Sequence, residues 1–324
     1  MLRSKQREGS PWRGLSVVFF RELFDHLTSV RMLVLEFLVV LLGGAVVFFA
    51  AEQIRATTAE DPFLFLRLFA PPGQSLLSFV LVLSILVPLI SIALGFDSVN
   101  GEYNRRTMSR ILAQPIYRDA LLFGKFLAGL ATLSICLVTL WLLVIGFGLI
   151  RLGIPPSGEE IGRLTVFLLV TIAYAGVWLA LAMLLSIVFR SAATAALVAL
   201  GLWLFATLIW PMLAPAIAQI IAPPDVRYQL LGLPSPATVE WQTALARLSP
   251  NQLFGECVLA ILSPTTRALG PIYLEQLQGA VTGTGLPLSQ SLLIAWPQMV
   301  GLVAGSIVLF VAGYIVFQRQ EVRA

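Results

Sequence analysis

Six runs of apolar residues, each long enough to cross a lipid bilayer as a helix, dictate what this 324-residue chain can become. A helix rises about 1.5 Å per residue, so roughly 20 apolar residues cover the hydrocarbon core. Runs at about 32–51, 74–96, 126–150, 164–189, 192–212 and 291–317 reach that length. Inside lipid every backbone N–H and C=O needs a partner within the protein, so the runs predict helices and not open strands. Composition agrees: 58% of the residues are hydrophobic, 12% are charged, and mean hydropathy is +0.90. Soluble domains carry about a quarter charged residues. The predicted fold class is therefore an all-α polytopic membrane protein with six transmembrane helices, and a soluble enzyme domain is excluded.

The net charge of +4 does not point to nucleic acid, because Lys and Arg gather in short segments between the apolar runs. That distribution sets orientation in a membrane. Placing the N-terminus in the cytoplasm puts 14 Lys and Arg on that side and 7 on the other, accounting for all 21. The expectation is a multi-pass inner (plasma) membrane protein with both termini cytoplasmic. No short apolar segment with a cleavage site precedes the first run, so that run is expected to act as the insertion signal. Cys136 lies within an apolar run and Cys257 in a polar-flanked region, which predicts neither a disulfide nor a paired-cysteine metal site.

Four regions follow from this layout. Residues 1–31 form a cytoplasmic N-terminus with an amphipathic interfacial helix, and 32–212 hold spans one to five with a cytoplasmic loop at 97–125. Residues 213–290 form an extracytoplasmic segment, and 291–324 hold the sixth span and a cytoplasmic tail. At 100° per residue Trp12, Leu15, Phe19, Leu23 and Leu27 share one face, while Arg13, Arg21 and Asp25 share the other. Such a helix suits the headgroup layer.

The outer segment is rich in Pro, Gly and Ser and carries helix starts at Ser235-Pro236, Ser249-Pro250 and Gly270-Pro271. After Ser249, an amphipathic stripe follows in Leu253, Phe254, Cys257, Val258, Ile261 and Leu262. Short helices are expected here, lying on the outer leaflet or on each other. Pro211 and Pro215 are expected to break the end of the fifth span. A further short amphipathic piece is expected at 63–69, and Ser157 to Glu160 reads as a capping box opening the fourth helix.

Enzyme constellations are absent from the sequence. His26 is the single histidine, and neither a metalloprotease, a nucleophile-elbow nor a P-loop pattern occurs. No catalytic, cofactor-binding or metal-binding residue is predicted, and without a P-loop this chain cannot bind ATP in the Walker manner. Glu36 is the one carboxylate within a span, close enough to Arg31 to reach the interface by snorkelling.

The loop between the second and third spans is the most informative stretch. Arg105, Arg106 and Arg110 alternate with Met108, Ile111 and Leu112 ahead of Pro115, a pattern that fits either a helix docking into a partner's groove or a solvated basic loop. Glu102, Thr107, Ile111, Leu112, Pro115, Arg118, Gly124 and Lys125 resemble, in order and spacing, the loop signature of ABC type-2 permeases. Where that family usually has Gly before the Thr, this chain has Arg106. The interfacial helix and six-span plan are similar as well. The stretch from Leu248 to Pro264 resembles members with an enlarged outer segment, some of them called multi-copper-enzyme maturation permeases.

The resemblance implies a pair of permease subunits, homo- or heteromeric, each receiving a separate ABC ATPase at a coupling helix. Glu102, Arg105, Arg106, Thr107, Met108, Ile111, Leu112, Pro115 and Arg118 would form that interface, with polar contacts from Glu102 and Arg105 and with Met108 and Leu112 in the groove. Export of an amphiphile is the expected function. Transmission of ATP-driven motion to an extracytoplasmic protein is the alternative.

Overall fold

The computed structural model describes residues 14–56, 63–69, 79–106, 117–153, 155–225, 228, 235–269 and 285–320. They are helical almost throughout. Helix α1 is Leu15–Thr28, α2 Val30–Ala56, α3 Phe79–Gly95, α4 Asn100–Asn104, α5 Arg118–Leu152 and α6 Gly158–Val188. Then come α7, Ala192–Leu204, a π-helical turn at Phe205–Ile209, and α8, Trp210–Ile221. Helices α9, Pro236–Ala246, α10, Pro250–Leu262, and α11, Leu288–Arg319, complete the chain. Six helices are long and apolar enough to cross a membrane, with the fifth running unbroken over Ala192–Ile221. The chain is an all-α polytopic membrane protein.

The fourth span, α6, is the centre of the bundle and packs against the second, third, fifth and sixth spans and against α10. Two-thirds of its apolar window (67%) is buried, against 11% for the fifth, so the fifth span presents most of its surface outward. Trp178, Tyr174 and Phe167 fill the interior. Gly95 and Ala182 bring the second and fourth spans to backbone contact, the small-residue crossing on which membrane helices rely. The Ser157 capping box forms as the sequence predicts, and Glu160 also accepts the Phe65 N–H at 2.8 Å, fixing the short 3-10 turn Leu64–Leu68. Helix α1 and the end of α11 lie on one side of the bundle, called here the terminal side. The opposite side is the far side.

The proline expectation is corrected. Pro211 and Pro215 do not end the fifth span; the helix passes through both and stops at Ile221. Proline has no N–H for the preceding turn, and the π turn immediately before Pro211 absorbs the mismatch. The Ala206 carbonyl takes its hydrogen bond from Ser249 Oγ instead, at 3.0 Å.

The outer helices also differ from expectation, since α9 and α10 dive into the bundle instead of lying on it. Helix α9 descends antiparallel to α8: Thr238 Oγ1 donates to the Ala222 carbonyl at 2.7 Å, and Trp210 Nε1 donates to the Leu245 carbonyl at 2.8 Å. The chain turns at Arg247–Leu248–Ser249, level with Ala206 and about 21 Å along the fifth span from Ala192. Helix α10 then climbs back, burying Phe254, Cys257 and Ile261 against the fourth and sixth spans. At the tip Asn251 bonds Thr207 Oγ1, and Tyr174 Oη donates 2.5 Å to Asn251 Oδ1 and lies 3.0 Å from the Ser84 carbonyl. Re-entrant backbone is tolerated at such depth when protein satisfies it, which this polar cluster does. The Gly270-Pro271 start lies outside the described residues.

Candidate coupling site on the terminal side

Three elements meet at Lys125 on the terminal side. Its ammonium lies 2.6 Å from Glu22 on α1 and 3.5 Å from Glu102 on α4, with side-chain exposures of 4%, 14% and 17%. One buried cation thus bridges two carboxylates that would otherwise repel each other across the α1–α4 gap. Gly124, the preceding residue, is where α1 approaches closest: a Cβ there would sit 2.7 Å from Val18 Cγ1. The Gly-Lys pair that carries the family resemblance therefore does two things, one steric and one electrostatic, in fastening α1 to the third span.

Helix α4 is clamped to the fourth span. The Val99 and Asn100 N–H groups donate to Ser186 Oγ at 3.0 and 3.2 Å. Asn100 Nδ2 donates to the Phe189 carbonyl and Asn104 Nδ2 to the Arg190 carbonyl, each at 3.3 Å. The start of the third span holds the end of the sixth: Arg118 Nη1 donates to the Gln320 carbonyl at 3.3 Å, and Tyr314 Oη donates to Asp119 at 3.0 Å. Gln320 in turn donates to the Ile187 carbonyl at 2.8 Å. The ends of the third, fourth and sixth spans, with α1 and α4, form one cross-linked plate.

The sequence-predicted residues divide on this plate. Arg105 and Arg106 are exposed at its surface, whereas Glu102 and Arg118 turn inward to Lys125 and Gln320. Arg106 has φ of 55°, the one positive φ of a non-glycine residue among the described residues. Glycine adopts that left-handed conformation without the penalty a Cβ brings, so the Gly of the family pattern would fit this position. Thr107, Met108, Ile111, Leu112, Pro115 and Trp12 lie outside the described residues. On α1, Leu15, Phe19, Leu23 and Leu27 are partly buried on the side of Val18, which packs on the third span, while Val17, Phe20 and Phe24 are exposed. The helix thus has two apolar faces, one for protein and one free to enter lipid.

Glu22 was not singled out by sequence, and His26 was noted only as the single histidine, without a place at this joint. Both fall on the buried face of α1, at the i, i+4 spacing from Val18, and a carboxylate on an apolar stripe is the signal that finds such a site. Burial lowers the His26 pKa below its ordinary value; Glu22, Asp97 and Asp25 pull it up and Lys125 pushes it down.

The comparisons with known proteins point the same way. Residues 16–322 match the model of the ABC-2 family transporter proteins. The chain is 30% identical over 243 residues to the probable ABC transporter permease protein NosY of Pseudomonas aeruginosa, covering 72% of this chain and 77% of that protein. It is 26% identical over 241 residues to the protein of the same name from Stutzerimonas stutzeri, covering 72% and 76%. With a family match over residues 16–322, a six-span bundle and Glu102, Arg118, Gly124 and Lys125 of the signature on one plate, this chain belongs to the ABC-2 family and is a membrane-spanning permease subunit of an ABC transporter.

Proposed function

We propose that the terminal-side plate receives ATP-driven motion from a separate ABC ATPase and passes it into the bundle, with export of an amphiphilic substrate as the output. The observation that carries this reading is the Lys125 bridge: a push on the loop after α4 cannot move that loop alone, because Lys125 and Ser186 tie its base to α1 and to the third and fourth spans. Packed helices respond to such loads as bodies. Arg105 and Arg106 offer the first polar contacts to the ATPase. Thr107, Met108, Ile111, Leu112 and Pro115 form the docking segment, while Glu102 and Arg118 brace it from behind. ATP and Mg bind in that partner. The excess of Lys and Arg on the terminal side supports a cytoplasmic terminal side for a chain of the inner membrane, and the outward-facing fifth span supports pairing with a second permease subunit.

Affinity purification of the tagged chain from native membranes tests this reading. A P-loop ATPase is expected to co-purify and to be lost in the Met108→Asp, Leu112→Asp double variant. Recovery of the intact chain without any ATPase under gentle detergent would overturn it. A second reading, delivery of motion to a protein beyond the far side, is supported by the α9–α10 hairpin, which is bonded to the fourth and fifth spans deep in the bundle. An extracytoplasmic protein in the same purification would select it over export.

A further inference from the structure

A cleft of about 400 Å³ opens between the tip of the α9–α10 hairpin and the sixth span, within the size range of small-molecule sites. Its two ends differ in chemistry. Arg247 and Gln298 form one end, joined through Glu256, which accepts from Arg247 Nε at 2.9 Å and from Gln298 Nε2 at 2.8 Å. Leu253, Gly301, Leu302 and Gly305 form the other, with nothing but hydrocarbon and backbone.

Depth separates the two ends in the same sense. Gln298 lies about 31 Å along the sixth span from Arg319 at the terminal-side boundary, which is the thickness of a hydrocarbon core. Gly305 lies about 21 Å from that boundary, among the acyl chains of the far leaflet. The Gln298–Glu256 end therefore sits at headgroup level, which the Arg247 side chain reaches from the turn below by extending to Glu256, and the apolar end lies among the acyl chains.

The polar end has unused capacity. Arg247 gives Nε to Glu256 and Nη2 to the Leu269 carbonyl, but Nη1 has no partner among the described residues, and the side chain is one-third exposed (33%). Gln298 is 3% exposed, and its carboxamide oxygen accepts no hydrogen bond among the described residues. Arg247 and Glu256 cancel in charge, so a purely anionic headgroup gains little net attraction. A zwitterion that has both a phosphate for the guanidinium and an N–H donor for the Gln298 oxygen matches both open groups.

We propose that this cleft holds one phospholipid of the far leaflet with a primary-ammonium headgroup. Its phosphate pairs with Arg247, its ammonium faces the Gln298 oxygen, and one acyl chain runs past Leu253 along Gly305. The site does not depend on the chain transporting anything, so it stands or falls separately from the export reading.

The test is native mass spectrometry of the full-length protein released from membranes of equal phosphatidylethanolamine, phosphatidylcholine and phosphatidylglycerol content. One retained phosphatidylethanolamine per chain is expected, about tenfold enriched over phosphatidylcholine, which has no N–H to donate. Gly305→Leu should abolish retention of every lipid, since a Cβ at Gly305 meets nothing within 4 Å and the new side chain grows into open space. Arg247→Gln should erase the headgroup preference. Because Arg247 also braces the hairpin, the glycine variant keeps the test decisive if Arg247→Gln fails to fold. Equal retention of the three lipids by the unaltered protein, or undiminished retention by Gly305→Leu, would overturn the proposal. So would chain-to-chain cross-links through the cleft, which would make a second copy the occupant.

Discussion

The two places where a short helix is fastened to the bundle use different chemistry. On the terminal side α1 and α4 are joined by a buried ion triad, Lys125 with Glu22 and Glu102. At the hairpin tip the contacts to the second, fourth and fifth spans are made by uncharged groups, Ser249, Asn251, Thr207 and Tyr174 bonding one another or backbone carbonyls, while the Arg247 side chain turns away to Glu256. The difference follows from the surroundings. At the edge of the membrane a charge is only partly removed from water and can still be paired, whereas at depth an imperfectly paired charge is far more costly. Charge reappears on the far side where the hairpin ends, in Arg163, fully buried and donating to the Ile261 carbonyl at 2.7 Å and to Ser291 Oγ at 3.1 Å. The lesson is that the terminal-side joint responds to pH and to charge substitution while the hairpin tip does not. A joint that must receive force from outside is the one built from tunable parts.

Removing Lys125 is the strongest way to break that contrast. Lys125→Met leaves two nearly buried carboxylates facing each other, an uncompensated charge on the order of 3–5 kcal/mol. Protease cleavage of α1 in lipid nanodiscs should become much faster while the six spans keep their helicity. Adding Glu22→Gln and Glu102→Gln to the variant should recover most of the loss. Equal protection of α1 in Lys125→Met and the unaltered chain would show that apolar packing at Val18 alone fastens α1.

Arg163→Met probes the far side and should cost less, about 2–4 kcal/mol. It leaves the buried Ile261 carbonyl without its donor at about 1–3 kcal/mol, and the half-buried Leu286 carbonyl at less because water can reach it. Its ionic partner Glu159 is 38% exposed and can return to water, so the ion pair itself adds little. Thermal unfolding of the purified chain would read the loss, and α1 protection should be unaffected. Simultaneous loosening of both ends would mean that the fourth span transmits disorder along its whole length.

How much of this was legible in the sequence depends on the range of the interaction. The six spans, the Ser157 capping box and the helix starts at Ser235 and Ser249 are local, set by apolar run length and by residues a few positions apart. The re-entrant path of α9 and α10 was not legible, because it rests on pairs such as Ser249 with Ala206 and Tyr174 with Asn251, separated by 43 and 77 positions. Proline chemistry misled for the same reason. A lone Pro211 argues for a break, and only Ser249, supplied from another helix, replaces the missing hydrogen bond. At the candidate site the resemblance located Glu102, Gly124 and Lys125 but not what they do. That Glu102 turns inward to Lys125 is a property of α1 docking, which no spacing within the loop encodes.

Arg106 offers a smaller test. Its φ of 55° places an L side chain in the left-handed region, at a cost of about 1–2 kcal/mol that glycine does not bear. Arg106→Gly should therefore stabilise the end of α4, less the backbone entropy that glycine loses on folding, for a net gain of about 1 kcal/mol or below. Hydrogen exchange at Asn104 to Arg106 would slow slightly in the isolated chain. If the exposed guanidinium is the first contact with the ATPase, the same variant binds that partner more weakly, so stability and association move in opposite directions.

The smallest expected effect is the pH response of the terminal-side joint. Burial is the largest influence on His26 and holds its pKa below the ordinary value of 6.5, with Glu22, Asp97 and Asp25 opposing and Lys125 reinforcing. The unfolded chain therefore binds this proton more readily than the folded one. The contribution to α1 docking is complete above 6.5 and fades as the pH falls from there through the lowered folded value. Protease protection of α1 should be flat above about pH 7.5 and decline modestly towards about pH 5, and His26→Gln should flatten the curve. A decline unchanged by His26→Gln would leave the imidazole a packing group. A decline of equal size at the hairpin tip, where no titratable side chain takes part near neutral pH, would remove the distinction between the two joints altogether.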